Sequence, residues 1–241
     1  MRVNTKAHQP RQIKIKRKKM YITLEGIDTC GKSTQIEVLK EAFPQAIFTK
    51  EPGGSTLGEK LREMILQNHS QDMALTSSCV SPKCLIAKQK AKDFAKNQAF
   101  SEEAEFFLFL ADRAEHFAKV IKPNADSLII ADRSLISGIA YSKHKDAEMM
   151  NLACTQGIVP DICFAFKMSA EELNKRLQSK QQDSIEQRGS AYLMAIQSRI
   201  LHFGRKIAKN CIIIDADKPK EAISQEIISH IHTAINPSTT R

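Results

Sequence analysis

The sequence predicts a three-layer α/β domain built on a five-stranded parallel sheet. Three observations carry that prediction. Five short apolar runs, at 21–24, 46–49, 128–131, 162–166 and 211–214, are unbroken rather than alternating, as in strands buried on both faces. Segments with helical periodicity lie between them, and alternating strands and helices pack as helices on both faces of a parallel sheet. The first run leads at once into a glycine-rich loop and then a helical segment.

Taken in order, the first strand is Tyr21-Ile22-Thr23-Leu24, closed by Gly26. A helix over 34–43 follows, with Ile36, Leu39 and Phe43 at helical spacing. After the second strand, 57–67 is a helix with an apolar stripe of Leu57, Leu61, Met64 and Ile65. Residues 70–100 break the rhythm and read as an insertion between two helices. The helix at 102–122 has Phe107, Leu110, Ala114, Phe117 and Ile121 as its expected core face. Helices are also predicted at 146–157, 170–179, 190–209 and 219–234, with the last two strands among them.

Of 241 residues, 42% are hydrophobic, which excludes a disordered chain. Six cysteines in this length do not make a disulfide scaffold and suit reduced thiols in a cytosol. No run approaches ~18 apolar residues, and the N-terminus has no apolar signal-like stretch. The net charge of +9 is local. Residues 1–19 hold eight Lys or Arg and no acid, so the rest of the chain carries +1. This basic stretch is expected to be a disordered tail, Met20 being a second candidate start, and 236–241 a C-terminal tail. The domain itself, 20–235, has no basic excess for nucleic acid.

Gly26-Ile27-Asp28-Thr29-Cys30-Gly31-Lys32-Ser33 fits G-x-x-x-x-G-K-[ST], between a strand and a helix. In such a loop successive N–H groups turn toward phosphate oxygens, and the helix N-terminus adds partial positive charge. Lys32 would reach the β and γ phosphates, and the Ser33 hydroxyl would ligate Mg²⁺. This predicts a nucleoside-triphosphate binder on a three-layer P-loop NTPase fold, without choosing among kinase, GTPase and motor. The strand at 128–131 ends in Asp132-Arg133. A strand-end acid there could organise Mg²⁺, with Arg133 bridging a transferring phosphoryl group; the plainer reading is a capping acid and a surface arginine.

Phe109, Arg113 and His116 lie at i, i+4 and i+7 on a second face of the 102–122 helix. A ring one turn from a guanidinium suits a flat base with polar edges, although such pairs more often serve packing and solvation. Lys50-Glu51-Pro52-Gly53-Gly54 leaves the second strand, and Arg62 lies one helix later as a candidate for an acceptor phosphate.

These pieces, with Phe109-Leu110-Ala111-Asp112-Arg113, Ser137-Gly138-Ile139-Ala140-Tyr141 and Gly157-Ile158-Val159-Pro160-Asp161, together resemble the thymidylate kinase family over about 20–69 and 101–235. The resemblance implies ATP- and Mg²⁺-dependent phosphorylation of thymidine monophosphate (dTMP) by a cytoplasmic homodimer, with no membrane and no nucleic acid as partner. It implies an ATP site of Gly26, Ile27, Asp28, Thr29, Cys30, Gly31, Lys32, Ser33 and Thr34, with Ser33 and Asp132 toward the metal. The implied acceptor site is Glu51, Arg62, Phe109, Arg113, Arg133, Ser137, Gly138 and Tyr141. In it Phe109 stacks on thymine, Arg113 bonds the base, and Tyr141 lies near the sugar's 2′ carbon. Asp28 is placed at the acceptor's sugar–phosphate region. Catalysis would rest on Lys32, Asp28, Arg133 and Arg176.

The chain departs from the family in two places. Some members carry an arginine in the phosphate loop, where this chain has Thr29, and the others supply arginines from a small mobile lid. The lid here, about 175–189, holds Lys175, Arg176 and Lys180, with Ser184 where an arginine is expected. The insertion, with Cys79 and Cys84, has no counterpart. Two alternatives stay open at this stage. One is another nucleoside-monophosphate or deoxynucleoside kinase, with Asp28 or Glu51 as its base. The other is a nucleic-acid-associated factor acting through the basic tail.

Overall fold

The computed structural model describes residues 19–71, 100–178 and 189–236. Most of the basic tail, the insertion with Cys79 and Cys84, the lid residues Lys180 and Ser184, and the last five residues lie outside them.

Five strands form one all-parallel sheet: β1 (Met20–Glu25), β2 (Ile47–Lys50), β3 (Leu128–Asp132), β4 (Ile162–Lys167) and β5 (Asn210–Asp215). Their order is β2-β3-β1-β4-β5. The chain thus builds to one side of β1, then crosses to the other. Such a reversal opens a crevice at the carboxyl edge, where α/β sheets bind ligands. Register brings Leu24 and Lys50 beside Asp132 at that edge.

Alternation along the strands divides the core between two faces. Ile22, Leu24 and Ile130 pack with Ile36 and Leu39 of α1 (Lys32–Ala42) and Ile227 and Ile231 of α8 (Lys220–Ile235). Tyr21, Ile129 and Ala131 face the other way, against Phe117 and Ile121. That second layer comprises α3 (Glu102–His116), α4 (Leu135–Tyr141) and α7 (Ser190–Ile207). Further helices are α2 (Thr56–Gln71), α5 (Ala147–Cys154) and α6 (Ala170–Gln178). Ser101 caps α3 by accepting from the Ala104 N–H at 3.1 Å. Among the described residues no helix is long and apolar enough to cross a membrane.

Three expectations are corrected. The buried residues of α3 are Phe106, Leu110, Asp112, Arg113 and His116, whereas Phe107 and Ala114 point outward. The physical reason is that this helix covers the buried Glu51 carboxylate and the Gly53 N–H, so three of its inward positions are charged or polar rather than apolar. The predicted single helix over 102–122 also ends early. A π-helical turn, Phe117–Ile121, follows it and rotates Phe117 and Ile121 into the core. On α2, Leu61 and Ile65 are buried while Leu57 and Met64 are exposed, because only one narrow stripe meets α3. The short helix α4 has no apolar period long enough to be read in the sequence and was expected only as a motif.

Candidate active site

The phosphate loop joins β1 to α1 through two residues with left-handed backbone, Thr29 (φ 65°) and Gly31 (φ 95°). Gly31 occupies the α1 N-cap and supplies no side-chain bond. The first N–H groups of α1 are therefore not capped by that side chain, as an anion-binding terminus requires. Lys32 is buried and folds back on the loop, donating to the carbonyls of Gly26 (3.0 Å) and Ile27 (2.9 Å). Ser33 and Thr34 are exposed on the first turn of α1, and Ile27 and Cys30 are buried beneath the loop. Arg176, on α6, braces this loop from behind. It donates to the carbonyls of Thr29 (3.1 Å) and Ala216 (2.8 Å) and pairs with Glu172.

Beside the loop lies a cavity of about 650 Å³. Glu51, Arg62, Phe109 and Arg113 are among its lining residues. So are Asp28, Arg133, Ser137, Gly138 and Tyr141. Five chain segments thus converge on one space. Arg133 closes its phosphate-loop end. Its backbone is left-handed (φ 72°), held where its N–H donates to the Leu24 carbonyl, a conformation that costs energy and clusters at functional sites. Its guanidinium reaches Asp28 (2.5 Å), the Gly26 carbonyl (2.9 Å) and Ser137 Oγ (3.2 Å), and lies over the Tyr141 ring. Arg62 donates to the Pro52 carbonyl at 3.3 Å.

Behind the cavity wall is a buried polar cluster that sequence reasoning did not assemble. Arg113 donates through Nε to Glu51 (2.8 Å), through Nη1 to Asn151 of α5, and through Nη2 to the Ser134 carbonyl (3.4 Å). That occupies three of its five N–H groups. The other Glu51 oxygen meets His116 Nδ1 at 2.7 Å, and His116 Nε2 meets Thr49 Oγ1 at 2.7 Å. Burial alone would raise the Glu51 carboxyl, but Arg113 and His116 outweigh it and hold it below the usual range. Gly138 is required by this arrangement: a Cβ there would meet Arg113 Nη1 at 2.4 Å. His116 stood out in the sequence only as the third member of a helix face. Asn151 left no signal at all.

Two more acids sit at the carboxyl edge. Asp132 ends β3, and its Oδ1 is buried without a hydrogen-bond partner among the described residues. Glu25 ends β1, fully buried, and accepts from the Ser134 and Ser137 hydroxyls at 2.6 and 2.5 Å. Burial pushes its carboxyl up to about 7, although the two hydroxyls and Arg133 pull the other way. The sequence signal for Glu25 was a lone acid at the end of an apolar strand, one residue before the loop.

A phosphate-binding loop beside a cavity whose walls carry arginine, aromatic and hydroxyl groups defines a nucleotide phosphotransferase of the P-loop class. The chain belongs to the thymidylate kinase family: that family's sequence profile matches residues 24–79 and 81–227. Curated relatives agree over almost their whole lengths. A thymidylate kinase of Helicobacter hepaticus is 39% identical over 219 residues, covering 90% of this chain and 100% of its own. Those of Wolinella succinogenes and Aliarcobacter butzleri are each 44% identical, covering 87% and 86% of this chain and 97% and 96% of theirs.

Proposed function

We propose that the chain transfers the terminal phosphoryl group of ATP to thymidine monophosphate. The observation that carries this is the single cavity in which Arg133 and Arg62 meet Phe109 and Arg113, next to Lys32 and the phosphate loop. One end suits a phosphate and the other a flat base with a carbonyl edge, since a guanidinium can donate but never accept.

The reaction needs no strong base. A nucleoside monophosphate ionises a second time near pH ~6, so its attacking oxygen is already charged at neutral pH. Catalysis is then alignment of two phosphates and neutralisation of their charge. Lys32 and the α1 N-terminus receive the donor, and Arg133 and Arg62 receive the acceptor. Phe109 and Arg113 set the acceptor's depth, and Arg176 holds the loop in shape.

A divalent cation fits the edge. Its residues would be Asp132, whose buried oxygen lacks a partner, and Ser33 on the exposed first turn. Magnesium is commonly held by one or two protein oxygens plus nucleotide phosphates. When bound, it would neutralise developing charge on the donor phosphates.

A nucleoside kinase would need a carboxylate ready to take a sugar proton. Glu51 has both oxygens engaged by Arg113 and His116, and Asp28 is paired with Arg133. Neither is placed as a base, which favours a monophosphate acceptor. A homodimer in the cytoplasm completes this reading. Phe107 on α3 and Leu57 and Met64 on α2 form an exposed apolar group of the kind that a second copy covers.

The test is ATP consumption against a panel of nucleoside monophosphates and nucleosides. Activity with thymidine monophosphate well above cytidine, adenosine or guanosine monophosphates is expected, and activity confined to nucleosides overturns the reading. Phe109→Ala and Arg113→Ala should raise the acceptor KM and leave the KM for ATP unchanged.

A further inference from the structure

Glu25 is a buried acid at the carboxyl edge, directly before the phosphate loop, and both its oxygens are held by hydroxyls from the far side of the crevice. β1 carries Tyr21, Thr23 and Glu25 on one face, so the column ends in a carboxyl where the strand meets the crevice. Glu25 meets two hydroxyls of the α4 start. Ser134 Oγ donates to one oxygen and accepts from the Ile136 N–H at 3.3 Å, capping the helix. Ser137 Oγ donates to the other and accepts from Arg133 Nη1 at 3.2 Å.

A hydroxyl has one hydrogen and two lone pairs. With its hydrogen committed to Glu25, Ser137 can present only lone pairs to Arg133. In its ionised form Glu25 can only accept, and that form fixes the polarity of the chain Glu25–Ser137–Arg133. We infer that Glu25 is a positioning residue for the acceptor phosphate, acting through Ser137 to aim the Arg133 guanidinium. The other charged and titratable groups bearing on Glu25 are Arg133 and Glu51, with Tyr21 on its own strand, Cys163 on β4 and Cys211 on β5. Among these, Arg133 alone has a hydrogen-bond route to Glu25 through Ser137. Burial of the charge favours the protonated acid, so the fold keeps this group at an energetic disadvantage, as at sites retained for function.

The inference rests on the proposed reaction, and the experiment separates the two. The full chain is assayed with ATP and thymidine monophosphate, each KM being measured separately. No turnover by the unaltered chain would fail the reaction itself. Given turnover, Glu25→Gln replaces one of the two acceptor oxygens by an amide donor, so the two serine hydroxyls can no longer both donate to this side chain. It should raise the acceptor KM by about tenfold or more, the worth of a hydrogen bond to a charged group, with little change for ATP. Ser137→Ala should do the same, and the double variant should be no worse than either single, because both lie on one route. Ser137→Thr should restore the KM. Losses that multiply in the double variant, or an equal rise in both KM values, overturn the inference. Should Glu25→Gln fail to fold, Ser137 decides: an acceptor KM unchanged in Ser137→Ala overturns it, and loss in Ala with recovery in Thr supports it.

Discussion

The donor and acceptor halves of the crevice are built by opposite means. The donor half is made from one continuous stretch, β1, loop and α1, and its ligands are mostly backbone N–H groups and a single lysine. The acceptor half is made from side chains of several segments, held by a buried cluster of Glu51, Arg113, His116 and Asn151. A backbone site needs only the right turn residues and a helix start. A side-chain site needs every member propped by another. The two should therefore fail differently: the donor half by losing one charge, the acceptor half by losing any support.

The largest expected effect is on the donor half. Lys32→Ala should reduce kcat by roughly a thousandfold or more, since no other side chain replaces that charge on the transferring phosphoryl group. Melting temperature should barely change, and steady-state kinetics beside a thermal melt will show whether the two are separate.

Glu51→Ala should instead damage stability and acceptor binding together. It leaves Arg113 buried without its counter-charge, a loss of roughly 3–5 kcal/mol that chemical denaturation can measure. A variant with wild-type stability would mean that water replaces the carboxylate, and the contrast between the halves would fail.

Glu25 and Glu51 also differ in sign. The folded Glu25 carboxyl sits near about 7, above its ordinary value of 4.5. Its protonated form is thus favoured by folding. That contribution is complete below the ordinary value and is lost as pH rises through about 7, a change of roughly 3 kcal/mol. Melting scans between about pH 5 and pH 8 should show this slope in the wild type and a flatter one in Glu25→Gln.

Gly138→Ala sharpens the comparison at smaller scale. The added methyl meets Arg113 Nη1 at 2.4 Å, so Arg113 must shift. Overpacking of this kind costs about 1–3 kcal/mol, which should be read mainly as a higher acceptor KM. The smallest effect is expected from removing residues 1–19. All eight of their basic residues precede β1 in sequence, and Lys19, the one among the described residues, forms an exposed pair with Asp126. A chain starting at Met20 should keep its kcat, both KM values and its melting temperature.

The sequence by itself determined the strands, the parallel sheet and the strand–loop–helix unit that carries the phosphate loop. Each depends on near neighbours: apolar runs of strand length, a glycine pattern between a strand and a helix, a lysine at fixed spacing. It also marked Phe109 and Arg113 as a pair, because one turn of helix sets their spacing. It placed α3 wrongly in rotation, for periodicity sees hydrophobicity and this helix turns Arg113 and His116 inward. What only the tertiary structure decided is which charges are buried and who neutralises them. Glu51 meets Arg113 and His116 across more than sixty positions, Ser137 meets Glu25 across 112, and Asn151 reaches Arg113 from another helix. Desolvation makes those partners obligatory. Yet the pairing depends on where the chain returns in space, and no local spacing records it.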